Sequence, residues 1–260
     1  MTIHVVELTQ WIGHLLWPLL RITTMLMVAP VFGSSSVPAR LRVGLGLALT
    51  LLLLPVIPGP GPANLVSSAG LLILLQQLTV GLFMGFTLKL VFSALELAGT
   101  VVSTQMGLGF AAISDPQHGG QIPVLSHFYL ILTTLMFLGL DGHLQLIEMV
   151  ASSFELVPIS PDLLDIGKLR DFVEWGGIIF SAALGVALPA IASLTVVNLA
   201  LGVMTRAAPQ LNIFAVGFPI SLVLGFLVVL YGLPTLVPQL RGLFEAAFTA
   251  AGQLMGSGGG

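Results

Sequence analysis

The chain is 260 residues long, 56% of them hydrophobic and only 7% charged, with a mean hydropathy of +1.07. A soluble domain carries about 25% charged residues, so this composition excludes a water-covered surface and defines an integral membrane protein. A net charge of −3 with 8 Lys and Arg excludes a basic nucleic-acid surface, and zero cysteines exclude disulfides, thiolate metal sites and cysteine nucleophiles.

The opening MTIHVVELTQ holds Glu7 and no Lys or Arg. Without a basic n-region it does not read as a cleaved signal peptide, and the first apolar stretch is expected to be retained. That stretch covers residues 11–32, enough for a span of about 20 residues. Arg21 sits in its middle, where a charge calls for a partner inside the protein. Pro30 ends the segment, and Arg40 and Arg42 follow in a tight connection that reads as an interfacial or cytoplasmic turn. Residues 43–57 are short for a crossing, and the proline-dense PVIPGPGPAN after them is stiff and extended.

Residues 65–92 form the longest apolar run and contain Gly81 and Gly85, a spacing that lets another helix approach closely. Small residues recur at Gly99, Ser103 and Gly107. Lys89 and Glu96 lie about two turns apart on a helix and cannot pair directly. With Arg21 they make up the expected set of buried charges. Gly107 to Ala112 fits GxGxxA, but its flanks are apolar helix rather than strand, so a dinucleotide site is rejected. Residues 109–123 then form a weakly polar loop, and the residues alone favour a surface position for it.

Residues 124–140 make another span, with His127 near its start and Asp141-Gly142-His143 closing it. Residues 144–157 read as amphipathic or half-spanning. The polar stretch 158–171, with Asp162, Asp165, Lys168, Arg170 and Asp171, is expected in water. Residues 172–204 are a long span or two, marked by Pro189 and Asn198. They feed LALGVMTRAAPQLNIFAVGFPISLVLGF at 199–226, where an apolar helix meets Arg206 and breaks at Pro209. Gln210 and Asn212 can bond the loosened backbone, and Gly217, Phe218 and Pro219 lie a few residues deeper. In lipid, broken backbone is tolerated only against protein or a water-filled cavity, so this break is expected to be buried in an assembly. Pro234, Pro238 and a mildly amphipathic tail at 240–254 follow.

The expected fold is therefore all-α. About six hydrophobic helical segments, several broken by Pro or Gly, make one domain over residues 1–255, with a flexible Gly-rich tail at 256–260. No HExxH or GxSxG occurs, and Asp115 and Asp141 do not stand in the contexts of an intramembrane aspartyl protease. Neither an enzyme nor a metal or cofactor site is expected. A secondary transporter, with its substrate site at the broken helices, would use Arg21, Lys89, Glu96 and Arg206, although no inverted repeat is visible. A subunit of a larger channel accounts for the glycines, the short segments and the polar loop together.

Five blocks carry a resemblance: MVAPVFG at 27–33, VPARLRVGLGLAL at 37–49, QMGLGFAAISDPQHGGQIPVLSHF at 105–128, FLGLDGHLQLIEMVASSF at 137–154 and TRAAPQLNIFAVGFP at 205–219. In order and spacing they resemble the FliR family, the flagellar branch of the type III secretion export-gate proteins, up to about Gly225. The resemblance implies one subunit of a conical gate built with FliP and FliQ subunits and engaged by FlhB. Such a gate passes unfolded flagellar proteins across the bacterial inner membrane at the flagellar basal body. It also implies helical hairpins standing high relative to the bilayer. For the 109–123 loop it implies a plug in the closed pore, with Phe110, Ile113, Asp115, Pro116, Gly119 and Gly120 in it, against the surface position that the residues alone favour.

Overall fold

The computed structural model describes residues 5–34, 36–59, 67–108, 123–162, 166–208 and 213–256. Every regular element among them is helical. In chain order these are α1 (Val5–Val28), α2 (Ala39–Leu53), α3 (Ser68–Gln105), α4 (Val124–Gly139), α5 (Gly142–Leu156), α6 (Ile166–Trp175), α7 (Ile178–Ala207) and α8 (Ile213–Gly256). Four helical stretches are long and apolar enough to cross a membrane, or five if α4 and α5 together make one broken span.

Proline plays two parts here. Helices stop before Pro30, Pro55, Pro158 and Pro209, and α2 and α4 start directly after Pro38 and Pro123. At Pro18, Pro189, Pro219, Pro234 and Pro238 the helix runs through. Each interior proline removes one amide donor, a loss that packed membrane helices tolerate when neighbours supply a substitute. Residues 68–92 of that run, with Gly99 and Ser103 after it, prove to be one helix, α3, of 38 residues and about 57 Å at 1.5 Å per residue. It ends at Gly107, which takes φ 80°, while the Leu108 amide reaches back to the Ser103 carbonyl at 3.0 Å. A left-handed glycine closing the last turn in this way is a common helix terminator.

The backbone groups into two compact units. The first comprises residues 1–90, 141–177 and 244–260. Its packing follows from small residues on α3: a Cβ on Gly85 would lie 2.7 Å from the Met25 carbonyl, and one on Gly81 would collide with the Arg21 carbonyl. The glycine pair thus lets α1 lie against α3, backbone to backbone. Phe172 of α6 stacks on Phe83 of α3, with ring centroids 4.2 Å apart. The polar stretch around α6 is not wholly in water. Lys168 is buried, and its ammonium donates to the Met255 carbonyl at 3.0 Å, satisfying an otherwise open carbonyl in the last turn of α8. Arg170 and Glu174 do stay in water, paired at 2.8 Å.

The second unit comprises residues 91–140 and 178–243. Its core gathers Ala98, Val102 and Met106 of α3, Leu125 of α4, Val229 of α8 and an alanine stripe on α7, Ala183, Ala187 and Ala190. Alanines one helical turn apart leave little side-chain bulk, so helix axes approach closely. Gly99 meets the start of α4 in the same manner, where an added Cβ would lie 2.6 Å from the Ser126 Cα. Beside it the Thr100 and Ser126 hydroxyls share a 2.8 Å hydrogen bond.

Candidate functional site

Two features stand out, one in each unit. In the first, Arg21 is fully buried. Its Nε donates to Gln77 Oε1 at 2.7 Å, Nη1 to the Ser153 carbonyl at 2.7 Å and hydroxyl at 3.1 Å, and Nη2 to the Val157 carbonyl at 2.9 Å. The guanidinium carbon sits 4.2 Å above the centre of the Phe154 ring. Ser153 and Val157 mark the C-terminal end of α5, where the helix carries partial negative charge; the Ser153 carbonyl also accepts the Val157 amide at 3.0 Å. The cation is therefore balanced by a helix end and an aromatic face, with no carboxylate among its hydrogen-bond partners.

The polar chain continues outward. Gln77 Nε2 donates to Gln76 Oε1 at 2.7 Å, and Gln76 Nε2 donates to the Asp162 carbonyl at 3.0 Å and the Ser160 hydroxyl at 3.3 Å. Arg21 and the two glutamines thereby hold the connection between α5 and α6. Such a chain of guanidinium, amides and carbonyls fixes geometry, and it contains no group that takes up and releases a proton near neutrality. Sequence reasoning singled out Arg21 but missed Gln76, Gln77, Ser153 and Phe154. The available signal was the adjacent glutamine pair inside an otherwise apolar run.

The other two members of the charge set lie elsewhere on α3. Lys89 is exposed rather than buried, and Glu96 is half-buried. Neither has an ion-pair partner among the described residues.

In the second unit, α7 ends at Ala207, and the Ala208 amide still reaches the Met204 carbonyl at 2.9 Å. Pro209, Gln210 and Asn212 fall outside the described residues, and helix resumes at Ile213. Arg206 is exposed in the last turn of α7, where a cation complements the helix dipole. Deeper in α8, Gly217 is buried while Phe218 and Pro219 are exposed. The Ser221 hydroxyl ties to Asn198 Oδ1 at 3.4 Å. Around this break the two helices are bare: Val203 on α7 is 69% exposed and Phe218 on α8 is 41% exposed. In an 18-residue apolar window of each span containing these helices only 22% is buried, against 56% of the corresponding window of α3. Apolar surface of this extent is stable only against lipid or another protein.

The expected plug residues Phe110, Ile113, Asp115, Pro116, Gly119 and Gly120 lie in residues 109–122, outside the described residues. Their two anchors are described: Gly107, which closes α3, and Pro123, which caps α4.

Fold and composition together define the class, a polytopic α-helical membrane protein. Comparison with known proteins narrows this. Residues 12–247 match the family of bacterial export proteins, family 1. Over 245 residues the chain is 37% identical to the flagellar biosynthetic protein FliR of Pectobacterium carotovorum subsp. carotovorum, covering 93% of this chain and 92% of that one. With the FliR of Escherichia coli (strain K12) it shares 35% identity over 242 residues, 92% of this chain and 91% of the relative. With the FliR of Bacillus subtilis (strain 168) it shares 28% over 229 residues, 87% and 88% of the two chains. The chain belongs to the FliR family of bacterial export proteins.

Proposed function

We propose that the chain is one subunit of a flagellar type III secretion export gate, assembled with FliP- and FliQ-type subunits and engaged by an FlhB-type partner. In this role it lines or braces a conduit for unfolded flagellar proteins across the bacterial inner membrane, at the flagellar basal body. It works by assembly and passage rather than by catalysis. The observation that carries the reading is the bare helix pair flanking the break after Ala208, in a chain of an export family. A backbone break needs polar partners at membrane depth, and neighbouring subunits are one source of them. The transporter reading needs a buried charge free to meet substrate, whereas Arg21 directs its donors to α5 and Gln77.

The test is affinity purification of the chain from membranes, followed by imaging of the particle. Co-purified FliP- and FliQ-type subunits in a conical hetero-oligomer are the expected result. A monomer that moves a small solute in liposomes would overturn the reading.

A further inference from the structure

In the first unit, α2 packs on α1 along one edge only. Gly46 and Thr50 are its buried residues, and a Cβ on Gly46 would collide with the Thr23 side chain of α1. The opposite face is bare and apolar. Arg40, Gly44 and Ala48, four residues apart, form one row along it. Leu51 flanks this row on one side, and Leu41 and Leu52, 64% and 69% exposed, flank it on the other. A Cβ on Gly44 would meet nothing within 4 Å, so the row is a shallow slot between leucines. At 15 residues α2 rises about 22 Å, less than the roughly 30 Å of a hydrocarbon core. A helix this short and apolar starts at a membrane interface and dips inward from it.

The end of α2 at that interface is basic. Arg40 is exposed and has no hydrogen bond or ion pair among the described residues. Arg42 is half-buried, and its Nη2 donates to the Ser34 carbonyl. No acidic residue occurs between Glu7 and Glu96, so the hairpin supplies no carboxylate of its own. A neighbouring protein helix could cover the leucines, but it would have to strip water from Arg40 or bring an anion to it. An anionic phospholipid answers both demands in one molecule, with a phosphate for the guanidinium and an acyl chain for the slot.

We propose that the outer face of α2 binds one anionic phospholipid. Its phosphate meets Arg40, with Arg42 beside it, and one acyl chain lies over Gly44 and Ala48 between the leucines. The inference does not depend on what the assembly transports.

Photolabelling tests it on the full chain, purified in the assembly it forms and reconstituted in phosphatidylcholine vesicles. Each preparation carries a trace of one probe, phosphatidylglycerol or phosphatidylcholine with the same diazirine-bearing acyl chain. Peptides covering residues 43–53 should take up at least about fivefold more of the phosphatidylglycerol probe, and high salt should reduce the difference. Arg40→Gln should lower that preference about fivefold, the effect of one basic residue at an anionic surface. Arg40 gives up no bond within the chain, so this variant should assemble normally. Equal labelling by the two probes makes the face an unselective lipid contact and overturns the proposal. Absence of labelling by either shows that a neighbouring subunit covers α2, and overturns it too. Both readings come from the wild-type protein and stand whatever the variant does. A preference undiminished in assembled Arg40→Gln also overturns it.

Discussion

Arg21 Nε and Gln77 Oε1 lie 2.7 Å apart, joining α1 to α3 at a point where neither side chain touches solvent. The rest of the guanidinium holds the end of α5, so removing it strands several buried polar groups at once. Arg21→Ala should be strongly destabilising, since each buried acceptor left without its donor costs about 1–3 kcal/mol. Arg21→Lys keeps the charge but loses the planar fork, and should also destabilise. Because Arg21 and Gln77 share a bond, the cost of Arg21→Ala with Gln77→Ala should fall short of the sum of the singles. Thermal unfolding in detergent measures all three, and a lysine variant as stable as wild type would refute the role of the fork.

Gly85 and Gly242 predict opposite outcomes for similar substitutions. A Cβ at Gly85 meets the Met25 carbonyl at 2.7 Å, whereas one at Gly242 finds nothing within 4 Å. Gly85→Val should push α1 off α3 and lower the yield of folded protein. Gly242→Ala, inside α8, should stabilise by about 0.5–1 kcal/mol through the lost backbone freedom of glycine. Melting temperatures of the two variants should therefore move in opposite directions.

Lys168 is a tertiary cap for α8. Lys168→Met keeps much of the apolar stem but removes the donor to Met255, and should cost about 1.5–3 kcal/mol, as for a hydrogen bond from a charged group. The loss should be local. Amide hydrogen exchange should quicken in the last turn of α8 and stay unchanged in α4.

The break after Ala208 should matter to assembly. Pro209→Leu with Asn212→Leu restores helix-compatible, apolar residues there, and should weaken co-purification with FliP-type subunits. Normal assembly and normal secretion by this variant would show that the break has no role between subunits.

A conduit wide enough for an unfolded chain must be filled at rest, and residues 109–122 have suitable chemistry for that work. Phe110 and Ile113 can seal against an apolar ring, Asp115 is the stretch's one formal charge, and Gly119 and Gly120 tolerate large changes of backbone angle. Deleting residues 115–120 should leave the complex assembled but leaky to small ions. Bulky replacements for both glycines should alter gating without preventing assembly. Ion conductance of bilayers carrying the deleted gate is the measurement, and wild-type tightness would assign the seal elsewhere.

Much of this was legible along the chain. Low charge and high hydropathy require a membrane protein whatever the fold, because so few polar side chains cannot cover a surface in water. Pro30, Pro158 and Pro209 mark helix ends because the residue before a proline is disfavoured in the helical region. The end at Pro55 is not legible in this way, since Leu54 before it keeps helical angles of φ −49° and ψ −40°. The spacing of Gly81 and Gly85 foretold a close helix contact, and that contact is with α1. The five sequence blocks carried the family.

Other features were settled only in three dimensions. Pro189 and Pro234 look like breaks in a local reading, and whether a helix survives them depends on what replaces the missing donor, which is a property of neighbouring helices. Lys168 looks solvated among Asp162, Arg170 and Asp171, yet it is buried against a carbonyl 87 positions away. Arg21 called for a partner, and a search of the sequence for an acidic one would fail. Its partners are largely backbone carbonyls at the end of α5, a chemical group that every residue carries. Only the fold decides which of those carbonyls a buried cation can reach.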